Sequence, residues 1–146
     1  MLHVLVFVSG LTVLGCELTA SRLLAPYFGT SLFIWANVIG LILLYLTAGY
    51  WIGGRLSDRA PIRAALYHAC AFAAIFIGLV PYLARPILWF SSYGFASVSL
   101  GIFWGSLLGV VGLFLVPLTL LGCVSPWSVR LAVTDVAGAG RTAGSL

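Results

Sequence analysis

Apolar residues fall into four long runs, at about 2–25, 32–54, 64–84 and 97–122, separated by short links with proline and glycine at their edges, and eight of the ten charged residues lie outside the runs, in the links and the tail. Each run meets the roughly 20 mostly apolar residues that a helix needs to cross a bilayer. The pattern therefore predicts an all-α integral membrane protein of about four transmembrane helices, occupying 1–122, with a cytoplasmic or interfacial tail over 123–146. Pro26 is expected to end the first helix, because proline removes a backbone donor and clashes with the preceding turn. The link 26–31 reads as a tight turn and 55–63 as a charged loop. The link 85–96 carries Trp89, Phe90 and Tyr93, aromatics suited to headgroup level.

Composition sharpens this picture. The 146 residues are 62% hydrophobic and 7% charged, against about 25% charged in an ordinary soluble domain. All seven basic residues are arginine, set against Glu17, Asp58 and Asp135. Because the arginines are scattered beside apolar runs, they speak about topology and argue against nucleic acid as a partner. Cytoplasmic loops collect arginine. Placing Arg55, Arg59, Arg63, Arg130 and Arg141 inside, with Arg22 and Arg85 on the far side, predicts an N-in, C-in, multi-pass protein of the cell's inner membrane.

Other chemistries find little footing. Cys16, Cys70 and Cys123 lie within or at the edge of apolar runs and read as small hydrophobes. His3 and His68 sit in different segments, so no metal site and no cofactor is expected. A lipoprotein-like Val13-Leu14-Gly15-Cys16 box lacks a basic region before it, and the apolar run continues beyond it, so it reads as part of a retained helix. Pro126 is expected to stop the fourth helix, with Ser125 or Ser128 capping a further helix over 127–137 that carries Trp127 along the membrane surface. The glycines at 138, 140 and 144 resemble a dinucleotide loop only superficially, since the strand and helix that such a turn needs are missing.

Three groups of residues remain as candidates. Glu17 is the one carboxylate inside an expected span, where an ionisable group is costly enough to suggest function. It reads either as a proton carrier or cation ligand, or as a structural group tied to Arg22, Asn37 or Tyr45. A direct Glu17–Arg22 bond needs a distorted helix, because residues five apart do not share a face. Arg55, Asp58, Arg59 and Arg63 form a second group, read either as a cytoplasmic latch or as an ordinary positive-inside loop against anionic headgroups. The third group is Gly49, Gly53, Gly101, Gly105 and Gly109, joined by Ala36 and Gly40. These residues recur at intervals of four, and such spacing lets membrane helices approach closely.

Long stretches also resemble the membrane portion of spermidine-synthase-like membrane proteins: Glu17-Leu18-Thr19-Ala20-Ser21-Arg22-Leu23-Leu24-Ala25-Pro26-Tyr27-Phe28-Gly29-Thr30-Ser31, Trp35-Ala36-Asn37-Val38-Ile39-Gly40, Gly49-Tyr50-Trp51-Ile52-Gly53-Gly54-Arg55-Leu56-Ser57-Asp58-Arg59, and Leu120-Leu121-Gly122-Cys123-Val124-Ser125-Pro126-Trp127-Ser128-Val129-Arg130-Leu131-Ala132. The segment after the second helix is similar to the signature loop of the major facilitator superfamily. The resemblance implies a transporter-like helical part, commonly fused to an aminopropyltransferase-like domain, with the aspartate at Asp58 helping to hold an inward gate shut. With four helices and no transferase domain, the chain reads as a truncated relative. The function expected is a non-catalytic accessory or scaffold subunit, partnered by the lipid bilayer and by other membrane subunits or itself. The alternatives are a transporter-like module for a cation or polyamine, or a membrane anchor for an aminopropyltransferase-like partner.

Overall fold

The computed structural model describes residues 2–59, 61–94 and 101–133, together with Gly140 and Gly144. The described residues form five helices: α1 (Leu2–Phe28), α2 (Leu32–Arg59), α3 (Arg63–Gly94), α4 (Gly101–Gly122) and α5 (Val124–Ala132). The first four, with α5 continuing α4, are long and apolar enough to cross a membrane, so the chain has the helices of a multi-pass membrane protein. Helix is the natural state for such segments, since each backbone donor and acceptor finds its partner within the helix and none is left to hydrocarbon. Hydroxyls follow the same economy: Ser9, Thr12, Thr19, Ser21, Thr47 and Thr119 donate to carbonyls three or four residues earlier in their own helices.

The helices run further than their apolar cores suggest. Pro26 does not end α1; it lies inside the last turn, and the helix closes at Gly29, whose φ of 82° is left-handed and whose N–H donates to the Ala25 carbonyl at 2.9 Å. That is a glycine C-cap, which satisfies a carbonyl the helix end would otherwise orphan. The charged loop expected over 55–63 is largely helical as well: α2 continues to Arg59 and α3 starts at Arg63. The third helix carries through Pro81 and Pro86 to Gly94, absorbing most of the link expected at 85–96. Prolines are tolerated in membrane helices because neighbouring groups re-satisfy the backbone they free.

Pro126 also falls inside a helix. It stands in the first turn of α5, where a missing N–H costs little, and a one-residue turn at Cys123 divides α4 from α5. The helix expected over 127–137 therefore begins at Val124 and ends at Ala132, with Val133 extended at φ −76°, ψ 116°. Its N-cap is Cys123, with no side-chain cap, so neither Ser125 nor Ser128 plays the expected role. The expected start of the fourth helix near Ser97 and the tail over 134–139, with Arg141, lie outside the described residues.

α4 is the central post. It packs along α2 on one side and α3 on the other, while α1 lies across the edges of both pairs. The core is built from stripes at helical spacing: Cys16, Ala20, Leu24 and Phe28 on α1, then Ile34, Val38, Ile42 and Tyr45 on α2, converging on Val110, Phe114 and Leu118 of α4. A second, smaller cluster gathers Leu66, Val124 and Trp127 beneath Leu2, Leu5 and Val6. Burial is uneven: 56% of the apolar window is covered in the α4–α5 span, against 17% in α1.

Candidate functional site

Two ends of the bundle can be told apart by their contacts. One holds the start of α1, the α2–α3 turn and α5; the other holds Phe28, the start of α2, the end of α3 and the start of α4.

Glu17 lies two residues beyond the midpoint of α1, and its side chain is half-buried, whereas Arg22 is exposed. Among the described residues Arg130–Asp58 is the one ion pair, so Glu17 and Arg22 are not bridged. Asn37 does not serve Glu17. Its Nδ2 donates across to α4, to the Phe103 carbonyl at 3.2 Å and to Ser106 Oγ at 2.9 Å, while Ser106 Oγ donates to the same carbonyl at 3.0 Å. The amide thus closes a small polar triangle between two helices, the kind of inter-helix bond that membrane bundles use as glue. Tyr45, the other candidate partner, has its hydroxyl buried without a hydrogen bond among the described residues. Glu17 therefore receives nothing from any of the three groups proposed for it, and its own carboxylate makes no hydrogen bond among the described residues.

Arg55, Asp58, Arg59 and Arg63 are all exposed around the short α2–α3 connection. Asp58 sits in the last turn of α2, where the helix dipole disfavours an anion. Arg130 of α5 offsets this: its Nε lies 3.4 Å from Asp58 Oδ1. Arg55 does something different, stacking its guanidinium 3.7 Å above the Trp51 ring in a cation–π contact. The partner of Asp58 was not visible in the sequence, because Arg130 is 72 positions away and only the packing of α5 against α2 brings the two together.

The glycines occupy two close-packed seams. A Cβ at Gly49 would strike the Thr119 carbonyl and the Gly122 backbone, and one at Gly53 would come within 2.6 Å of Cys123 Cα. At the opposite end, a Cβ at Gly105 would meet the Phe28 ring at 2.6 Å and the Ser91 carbonyl at 2.8 Å, and one at Gly109 would meet Leu88 at 2.7 Å. Gly101 opens α4 and is half-buried. Ala36 and Gly40 face outward instead, and a Cβ at Gly40 meets nothing within 4 Å. Equal spacing thus covers unequal environments.

Between α1 and α3 runs a furrow that periodicity alone does not reveal. Its wider part, ≈ 690 Å³, lies between Val4, Val8 and Thr12 on one wall and Cys70, Ala74 and Ile77 on the other. A continuation of ≈ 360 Å³ shares Thr12 and Ile77 and runs past Gly15, Thr19 and Pro81. Glu17 lines neither part. At 3.6 residues per turn, Gly15 and Thr19 point roughly 160° away from Glu17 around the helix. Among the described residues no group of three His, Cys, Asp or Glu side chains is placed to hold a metal. No protein-family model, no curated protein and no solved structure matches this chain.

Proposed function

We propose that this chain is a non-catalytic subunit of a larger inner-membrane assembly, contributing helices and docking through the open side of α1. The observation that carries the reading is Glu17: a half-buried carboxyl at mid-helix, without a hydrogen bond or ion pair among the described residues, on a span of which only 17% is covered, as little as in α3. A charged group at the bilayer centre costs about 2.5–3.5 kcal/mol by insertion scales. Arg22 can extend its long side chain toward the interface, but the short arm of Glu17 cannot. A donor on a neighbouring subunit relieves that cost, and inter-helix polar bonds are a recognised form of membrane glue. In this reading the membrane orientation is N-in and C-in, with Arg55, Arg59, Arg63 and Arg130 at the cytoplasmic face.

The experiment is co-purification in mild detergent of tagged wild-type chain and Glu17→Leu, which removes every polar atom that a partner can bind. The wild-type chain is expected in a particle much heavier than its own 15.5 kDa, and the variant is expected to lose that company while remaining helical and monodisperse. A wild-type chain that runs alone, or a variant that keeps the same partners, would falsify this reading.

A second reading has one observation in its favour. The Asp58–Arg130 pair ties the end of α2 to α5, which suits the latch of a transporter-like module for a cation or polyamine, in keeping with the resemblance to spermidine-synthase-like membrane proteins. Uptake of labelled spermidine into vesicles separates the two: transport abolished by Glu17→Gln favours this module, and no uptake above empty vesicles favours the subunit.

A further inference from the structure

From the α1–α3 furrow we infer a second, separate property: the chain binds one anionic phospholipid, with an acyl chain in the furrow and the phosphate at Arg63. The wider cavity does not end blindly. Tyr67 lines it and also lines a third cavity of ≈ 250 Å³, whose other walls are Leu2, His3 and Arg63. An apolar trough therefore opens into a basic mouth, and both belong to the same pair of helices. That is the polarity of a phospholipid, and basic pockets between membrane helices are recognised headgroup sites.

Three features select a lipid over other occupants. Three of the hydroxyls along the trough turn back on their own helix: Ser9, Thr12 and Thr19 donate to Val6, Val8 and Gly15 carbonyls at 2.7 Å each. The lining is otherwise almost wholly apolar, which suits an acyl chain far better than an ion or a polyamine. Length fits as well. From His3 to Thr12 the helix rises about 14 Å, close to half of the ~30 Å hydrocarbon core, which is the depth one acyl chain occupies in its own leaflet. Charge is the third feature. Arg63 is exposed at the mouth, no acidic side chain lines any of the three cavities, and the pairing with a phosphate is a charge-assisted one. A transmembrane helix of another subunit, the rival occupant, offers Arg63 at most the partial charge of a helix C-terminus, where a phosphate offers a full one. Because Glu17 points away from the furrow, lipid and partner subunit occupy different faces of α1.

The test uses full-length chain purified in mild detergent, offered equimolar phosphatidylglycerol and phosphatidylethanolamine, and weighed intact by native mass spectrometry. One phosphatidylglycerol per chain is expected, with at least a several-fold preference over phosphatidylethanolamine. Arg63→Gln should erase the preference, and Arg63→Lys should keep most of it. Ala74→Phe fills the trough from an exposed position and should remove the retained lipid of both kinds while Arg63 is intact. Equal retention of the two lipids by the wild-type chain overturns the inference, as does a preference that survives Arg63→Gln or a lipid that survives Ala74→Phe. A photo-crosslinker at position 74 that captures a polypeptide in place of lipid overturns it too, in favour of a helix in the trough. None of these outcomes bears on the company that Glu17 keeps.

Discussion

Asn37 illustrates how much a single polar side chain decides inside hydrocarbon. Its two donated bonds cross from α2 to α4, and Ser106 completes the triangle. Replacing it with leucine keeps the branching of the side chain and removes both bonds, while Ser106 retains its own bond to the Phe103 carbonyl. Hydrogen bonds between membrane helices average about 0.6 kcal/mol and reach about 1.7, so Asn37→Leu should destabilise by about 1 kcal/mol, read as a shifted midpoint in detergent-denaturation titrations. A loss of several kcal/mol would show that the triangle does more than join two helices. Asp58 is a case of the opposite kind, held in an exposed pair where solvent screens the attraction. The sequence singled out both residues, but it offered Glu17 as the partner of Asn37 and named none for Asp58.

At the scale of the helix, the glycines set how closely the elements approach. Gly49 and Gly53 of α2 lie against Thr119, Gly122 and Cys123, and Gly122 in turn meets the Leu46 carbonyl, so backbone touches backbone along this seam. Such an approach leaves no room for a side chain, and a backbone atom cannot rotate aside as a long side chain can. Gly49→Val should therefore force α2 from α4 and cost at least the 1–3 kcal/mol typical of overpacking, whereas Gly40→Val, into open space, should change stability by less than about 0.5 kcal/mol beyond its helix propensity. Thermal unfolding of the two purified variants side by side checks this, and equal melting temperatures would refute the seam. Gly40 and Gly49 carry the same small-residue pattern in the sequence, but periodicity identifies a face and not the neighbour that the face meets.

The prolines make a similar point about element boundaries. Pro26, Pro81, Pro86 and Pro117 all stand inside helices. In a soluble chain each would argue for a break. Surrounded by hydrocarbon, the backbone has no water to turn to, so helix persists around the lost bond. The apolar runs were legible as helices for that reason, while their ends were not: α1, α2 and α3 all extend into residues whose composition reads as turn or loop.

For the molecule as a whole, the unevenness of burial is the governing feature. α4 is enclosed by α2 and α3, and α1 is attached chiefly by the stripe Cys16, Ala20, Leu24 and Phe28. This leaves two loosely covered helices, α1 and α3, with the furrow between them, and α1 also carries a mid-helix carboxyl on another face. Orientation belongs to this scale, since arginines act on the whole chain during insertion. The proposed orientation puts the α2–α3 turn in the cytoplasm, so a fluorescent-protein reporter after residue 61 should be bright and an alkaline-phosphatase reporter there inactive. Substituting Arg55, Arg59 and Arg63 by alanine should weaken that asymmetry, and a reporter pattern that is already reversed in the wild-type chain would refute the N-in assignment.

Sequence alone determined the solvent and the secondary structure. Four runs of some 20 apolar residues with so few charges have one stable state, helices across hydrocarbon, because unpaired backbone is intolerable there whatever the tertiary arrangement. Tertiary structure decided what each polar group meets. It gave Asn37 to Ser106 and Asp58 to Arg130, left Glu17 without a partner among the described residues, turned Gly40 outward and Gly49 inward, and opened a furrow between α1 and α3. The physical reason is range: helix formation rests on bonds four residues long, whereas those partnerships join residues about 70 positions apart and exist only once the helices have chosen their neighbours.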